Sequence, residues 1–189
     1  MQKLFVALFL LLVLSGCGSV PKTKFEKVDK IAIRLADSRF AGVTPAMRAR
    51  DIFCGRQELG VWFGKEGRAS LVLIRADAGC VVNNTNASED AFIKWFPWLT
   101  KGKLTYGGNA VMVDAPLGPI WVRQFQHDDR NCFLFRHNFG TISGDNEDAS
   151  LDLIVGYFCG PANVPNTEDG IRQFVSSITV GKEAPPRSS

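Results

Sequence analysis

A few groupings in this 189-residue chain could do chemistry, and most of them narrow quickly. His127 stands before Asp128 and Asp129, and His137 follows Arg136, so either ring could in principle serve a hydrolase as general base. No Gly-x-Ser-x-Gly elbow sets a nucleophile near them, and aspartates in a turn commonly cap their own backbone. Neither H-x-x-x-H nor H-E-x-x-H spacing occurs, and the five cysteines contain no C-x-x-C pair, so the usual zinc patterns are missing. Asp145-Asn146-Glu147-Asp148 gathers oxygens but lacks the alternating Asp pattern and distal Glu of a calcium loop, and reads as a solvated turn. Tyr106-Gly107-Gly108 is a glycine pair without the lysine or strand-to-helix context of a phosphate cradle. What remains is Trp121, Arg123, Arg136 and Tyr157. Guanidiniums close to aromatic rings stack on them and fork onto carboxylates or phosphates, which would make an anion- or partner-binding patch. The commoner arrangement is a helix covering such a face while the arginines snorkel past it. The sequence assigns no catalytic residue, no metal ligand and no cofactor.

The elements that must position these groups follow from periodicity. Val28 to Leu35 alternates as a first strand, and Thr44-Pro45 reads as an N-cap with proline at the first helical position, opening a short helix to Phe53. Leu59–Phe63 and Arg68–Ile74 are β-rich runs around Gly64-Lys65-Glu66-Gly67, which is hairpin punctuation. Ser88-Glu89-Asp90-Ala91 caps a second helix whose Phe92, Trp95, Phe96 and Leu99 form an inward aromatic stripe, ended by Pro97. A strand over Ala110–Val113 precedes Ile120–Gln126, Asn131–His137 and Leu151–Cys159, which read as three antiparallel neighbours. The turn 127–130 pairs Gln126 with Asn131, and setting Cys132 opposite Cys159 fixes the second register. One face then carries Ile120, Val122, Phe133, Phe135, Ile154 and Phe158, with Gly156 making room opposite Phe135. The other carries Trp121, Arg123, Phe125, Leu134, Arg136, Val155 and Tyr157. A one-residue slip would exchange them. A last helix begins near Thr167, with Ile171, Phe174, Val175 and Ile178 on one side, and the polar tail 182–189 reads as disordered.

At the other end, Met1 to Lys3 is a short positive start, Leu4 to Leu14 is unbroken and apolar, and Ser15-Gly16 places small residues before Cys17, which is a signal-peptide layout. Eleven apolar residues are too few for a bilayer core that needs about 20 in a helix. Leu14-Ser15-Gly16-Cys17 resembles the lipobox of bacterial lipoproteins. The resemblance implies cleavage after residue 16, a diacylglyceryl thioether on Cys17 and a further amide-linked chain, enough for stable anchoring without spanning. Gly18, where an aspartate would favour retention at the inner membrane, implies an outer-membrane anchor with the domain facing the periplasm. Within the lipidated N-terminus, residues 17–26, Gly18 to Lys24 reads as a short polar tether that reaches on the order of 25 Å at roughly 3.3 Å per residue.

Export makes the remaining Cys54, Cys80, Cys132 and Cys159 legible as disulfide partners. Three connectivities are possible, and the strand pattern favours Cys54–Cys80 with Cys132–Cys159. Residues 27–181 suit one domain. The formal charge of +3 falls by one with Lys3, and so small a balance argues against nucleic acid. The expected fold is α+β, an antiparallel sheet of about five to seven strands packed with about three helices and held by two disulfides. The pair Cys132-Phe133-Leu134-Phe135 and Gly156-Tyr157-Phe158-Cys159 is similar to strands of small uncharacterised bacterial envelope proteins. The expected function is non-enzymatic: a lipid-anchored protein, held to the membrane by the acyl chains on Cys17, that binds an envelope protein, a lipid or a cell-wall component. The alternative is an envelope hydrolase with residues dispersed along the chain.

Overall fold

The computed structural model describes residues 24–52, 55–76, 88–139 and 152–181. Its strands are β1 (Glu26–Lys27), β2 (Ile33–Leu35), β3 (Ala46–Ile52), β4 (Gly55–Gly64), β5 (Gly67–Ala76), β6 (Leu104–Tyr106), β7 (Val111–Ala115), β8 (Gly118–His127), β9 (Arg130–Phe139), β10 (Asp152–Cys159) and β11 (Ile178–Val180). Two α-helices, α1 (Glu89–Ile93) and α2 (Glu168–Ser176), and two single 3₁₀ turns complete the described chain. Nine strands make one sheet in the order β1-β3-β4-β5-β10-β9-β8-β6, with β7 also paired to β8, and β11 pairs with β2 apart from it. Every pairing is antiparallel. The sheet is two three-stranded meanders, β3-β4-β5 and β8-β9-β10, joined where β5 meets β10.

The central strands are apolar on both sides, so each face of the sheet holds its own core. Leu71, Leu73, Ile120, Val122, Phe133, Phe135, Ile154 and Phe158 project to one face, where Ile171, Phe174 and Val175 of α2 cover them. Phe174 is fully buried and meets Phe133, Phe135 and Phe158 at ring separations of 5.3, 5.9 and 5.4 Å. Gly156 is required here: a Cβ on it would stand 2.5 Å from Phe135 and 2.7 Å from Leu71. Val72, Ile74, Phe125, Leu134, Leu153, Val155 and Tyr157 project to the opposite face under Phe92, Ile93, Phe96 and Leu99 from α1 and the turn after it.

The meander β8-β9-β10 has the expected registers, with Gln126 opposite Asn131, Gly156 opposite Phe135 and Cys132 opposite Cys159. A disulfide joins Cys132 and Cys159, whose Cα atoms are 4.1 Å apart. Cys54 and Cys80 lie outside the described residues, as does the acidic loop with Asp145, Glu147 and Asp148.

The expected α+β class is overturned. Strands hold 53% of the described residues and helices 15%, so the fold is mostly antiparallel β, with two α-helices and one disulfide among the described residues. The sheet has nine strands rather than five to seven. The helix expected from Thr44-Pro45 to Phe53 is instead β3, paired with β4 from Ala46 opposite Val61 to Ile52 opposite Gly55. Ala-Met-Arg-Ala-Arg favours helix intrinsically, but propensity is a weak prior and the unpaired edge of β4 offers a ladder of hydrogen bonds instead. Pro45, with no N–H, stands just before the first strand residue, where proline is tolerated. The strand expected over Val28–Leu35 is also broken. The Ala32 N–H donates to the buried Glu58 carboxylate at 2.6 Å, and Ile33–Leu35 pair with β11. Ile178, expected on the last helix, is the first residue of β11 and still buried.

Candidate functional site

The two histidines do not form one site. Side chains alternate between faces along a strand, so His127, in step with Phe125, lies on the α1 side of the sheet, and His137, in step with Phe133 and Phe135, lies on the α2 side. His127 is 2% exposed at the end of β8, its ring 4.3 Å from that of Trp98. The Asp128 carboxylate stands 3.6 Å from its Nδ1, but the other oxygen of Asp128 accepts the Lys103 N–H at 2.9 Å, which ties the turn to the segment before β6. His137 packs flat against Phe139, with Nδ1 3.1 Å from the Pro119 carbonyl. Among the described residues neither ring is hydrogen-bonded to a hydroxyl or thiol. No cluster of three or more metal-binding side chains occurs among them. No helix of the described chain is long and apolar enough to cross a membrane.

The arginine–aromatic grouping divides in two. Tyr157 is buried beneath Phe96 and Trp98, at ring separations of 5.0 and 5.7 Å. Burial pushes its hydroxyl up to about 12, against the opposing charge and hydrogen bond of Arg68. It is a core residue. Trp121 and Arg136 stay together because they are register partners on β8 and β9, and the guanidinium lies 5.0 Å from the Trp121 ring and 5.6 Å from Phe92 of α1. Arg123, two residues along from Trp121, sits 3.7 Å from the Glu89 carboxylate and 5.4 Å from the Tyr106 ring.

These side chains wall a cleft of about 400 Å³ lined by Ser88, Glu89, Asp90, Phe92, Tyr106, Trp121 and Arg136. Three elements position it. Ser88 caps α1, its hydroxyl accepting the Ala91 N–H, and so fixes where Glu89 and Asp90 point. Pairing of β6 with β8 brings Tyr106 opposite Phe125, and the Tyr106 hydroxyl donates to Asp90 at 3.2 Å. Burial, followed by the charge and hydrogen bond of Asp90, raises the Tyr106 pKa well above its usual value. Burial also lowers that of Arg136, opposed by Glu89. The charges are thus balanced around the site: Glu89 and Asp90 face Arg123 and Arg136, and Asp90 also accepts the hydrogen bond of the Tyr106 phenol, which keeps its proton. Such a cleft suits a neutral or zwitterionic ligand with an apolar face and flanking hydroxyl or amide groups. It suits a bare anion poorly.

Ser88, Glu89, Asp90, Phe92 and Tyr106 are the cleft residues that sequence reasoning missed as a site. Glu89 and Asp90 read as helix-start acids, Phe92 as core and Tyr106 as the edge of a glycine pair. Only the approach of α1 to β6 across the sheet joins them. Compared with protein-family models, with curated proteins and with solved structures, the chain matches none.

Proposed function

We propose that this is a lipid-anchored envelope protein of non-enzymatic type that holds a cell-wall component, a glycan or its attached peptide, in the cleft between α1, β6, β8 and β9. The observation that carries the reading is the cleft itself, in which Phe92, Tyr106 and Trp121 supply apolar walls while Glu89, Asp90 and Arg136 supply hydrogen-bonding groups of both signs. Aromatic faces stack on the apolar faces of sugars and peptides, and a few polar groups set orientation. Leu14-Ser15-Gly16-Cys17 supports acylation of Cys17, and Gly18 supports an outer-membrane address facing the periplasm. A hydrolase in this cleft would have to work without a histidine, since neither described histidine lines it.

Titration with soluble cell-wall fragments, followed by tryptophan fluorescence, tests the reading. Saturable binding that is lost in Trp121→Ala and in Arg136→Gln, with folding kept, is the expected result. Binding that both variants retain would sink the cleft as the site. Mass spectrometry of the protein from membranes tests the anchor separately, because acylation adds the mass of the lipid to Cys17.

A further inference from the structure

The edge of the sheet formed by β1 and β3 carries a concentration of positive charge that no carboxylate among the described residues pairs with. Lys27 and Arg48 are register partners and both are exposed. Like charges set directly opposite on paired strands are destabilising. Arg50, two residues along β3, projects to the same face; its guanidinium stacks 4.5 Å from the Phe25 ring and donates to Gln57 at 2.7 Å. Among the described residues none of these three cations has a carboxylate partner. Glu26 and Asp51, the nearest acids on the two strands, alternate to the other face, and with Lys24, Arg50 and Arg56 they line a hollow at the edge in which the cations outnumber them. A single lysine on an edge strand would be enough to discourage edge-to-edge pairing. A row of three, with a repulsive pair at its outer end, calls for an anion.

We propose that this edge docks onto an anionic phospholipid surface. Charge complementarity favours it, and so does the way the chain enters: the described residues begin at Lys24, which lines the same β1–β3 edge beside Glu26 and Arg50. The edge is therefore the part of the domain that the preceding residues hold nearest to whatever holds them. Registers place Arg48, Leu59, Val72, Val155, Arg136 and Trp121 in one lateral row. The cleft thus shares its face with the basic edge, four strands away, or about 19 Å at the usual strand spacing. A domain seated on this edge would carry its cleft at that height above the headgroups, facing along the membrane. The charge argument holds without acylation, while the argument from chain entry rests on the anchor proposed above.

The test uses the full chain with Cys17→Ala, so that no acyl group contributes, and compares partition onto vesicles of phosphatidylglycerol with phosphatidylcholine against vesicles of phosphatidylcholine alone. Any apolar contribution of residues 4–14 is common to both. Preference for the anionic vesicles should fall about 30-fold in Lys27→Gln/Arg48→Gln, since each juxtamembrane cation contributes roughly one kcal/mol, and should weaken with salt. The charge-keeping pair Lys27→Arg/Arg48→Lys should retain it. The glutamine pair should melt no lower than the parent without vesicles, because a repulsive contact is removed. Equal partition onto the two vesicle types, or an anionic preference that the glutamine pair keeps, would overturn the proposal. Binding of a soluble polyanion such as heparin without binding of vesicles would overturn it in favour of an acidic macromolecule.

Discussion

The two faces of the sheet are built on the same strands and use their side chains in different ways. Under α2 Phe133, Phe135, Phe158 and Phe174 interlock, Gly156 marks how closely they approach, and the guanidinium of Arg39, paired with Asp37, stacks 4.3 Å from the Phe158 ring and 5.3 Å from that of Phe174. Under α1 the covering segment is shorter and its aromatics are mixed with charge. Trp98 packs 4.3 Å from the His127 ring and 4.7 Å from the Arg68 guanidinium, and α1 leaves a cleft between itself and Trp121 and Arg136. A helix of five residues has little more than one turn with which to cover a face that wide. Both faces hold a core, but the α2 face is covered throughout, whereas the α1 face combines its core with an open cleft. The α1 face is also where the Cys132–Cys159 bridge lies, so a covalent link strengthens the side with the thinner cover.

The sharpest way to break that comparison is to cut into the α2 face. Phe174→Ala should lower stability by about 3–5 kcal/mol, a fall of roughly 10 °C or more in Tm for a chain of this size, while ligand affinity at the cleft stays unchanged at temperatures where the variant is folded. A loss under about 1 kcal/mol by thermal melting would mean that the α2 face is not covered throughout. On the other face, Cys132→Ser/Cys159→Ser removes a link between residues separated by 27 in sequence. Loop-closure entropy puts the loss at about 3–4 kcal/mol, to be read from urea midpoints with and without reductant. If reductant leaves the parent's midpoint unmoved, the bridge does not offset the thin cover.

Tyr157 tests whether the α1 face is truly dry at its centre. Its folded pKa of about 12 lies above the usual value near 10, so the folded state holds the proton more tightly. Its contribution is then fully present below about pH 10 and is lost as pH rises through the folded value, by roughly 3 kcal/mol at most. Tyr157→Phe should flatten that alkaline fall, and an unchanged pH profile would count against deep burial. The smallest effect on folding belongs to the cleft. Trp121→Ala and Arg136→Gln, at half-exposed positions, should each shift stability by less than about 1 kcal/mol. A much larger loss would place both residues in the core and remove the distinction between the faces.

Much of the sheet was legible because its strongest signals are local. The meander β8-β9-β10 could be registered from one four-residue turn and one pair of cysteines, and the face assignments follow from the two-residue period. The N-cap at Thr167 and the spacing of Ile171, Phe174 and Val175 likewise announce α2. Where local propensity and partner availability disagree, reading fails. Ala46–Ile52 is composed of helix formers yet completes a sheet, and Val28–Leu35 alternates yet divides because the buried Glu58 carboxylate captures the Ala32 N–H. Trp121 and Arg136 could be paired in advance because they sit on adjacent strands. Glu89 and Tyr106 could not be joined to them, since nothing in their spacing shows that α1 and β6 meet over the same strands.

By itself the amino-acid sequence determined the antiparallel meander, its apolar face of Ile120, Val122, Phe133, Phe135, Ile154 and Phe158, the bridge between Cys132 and Cys159 and the helix α2, because each depends on periodicity or on groups brought together by a short turn. Only the tertiary structure decided that β3 is a strand, that Tyr157 is core while Trp121 and Arg136 wall a cleft, and that Lys27 and Arg48 face each other on one edge. Those outcomes turn on which distant backbone offers unpaired hydrogen bonds and on how far a short helix can reach across a wide sheet, and neither is written in the neighbours of any one residue.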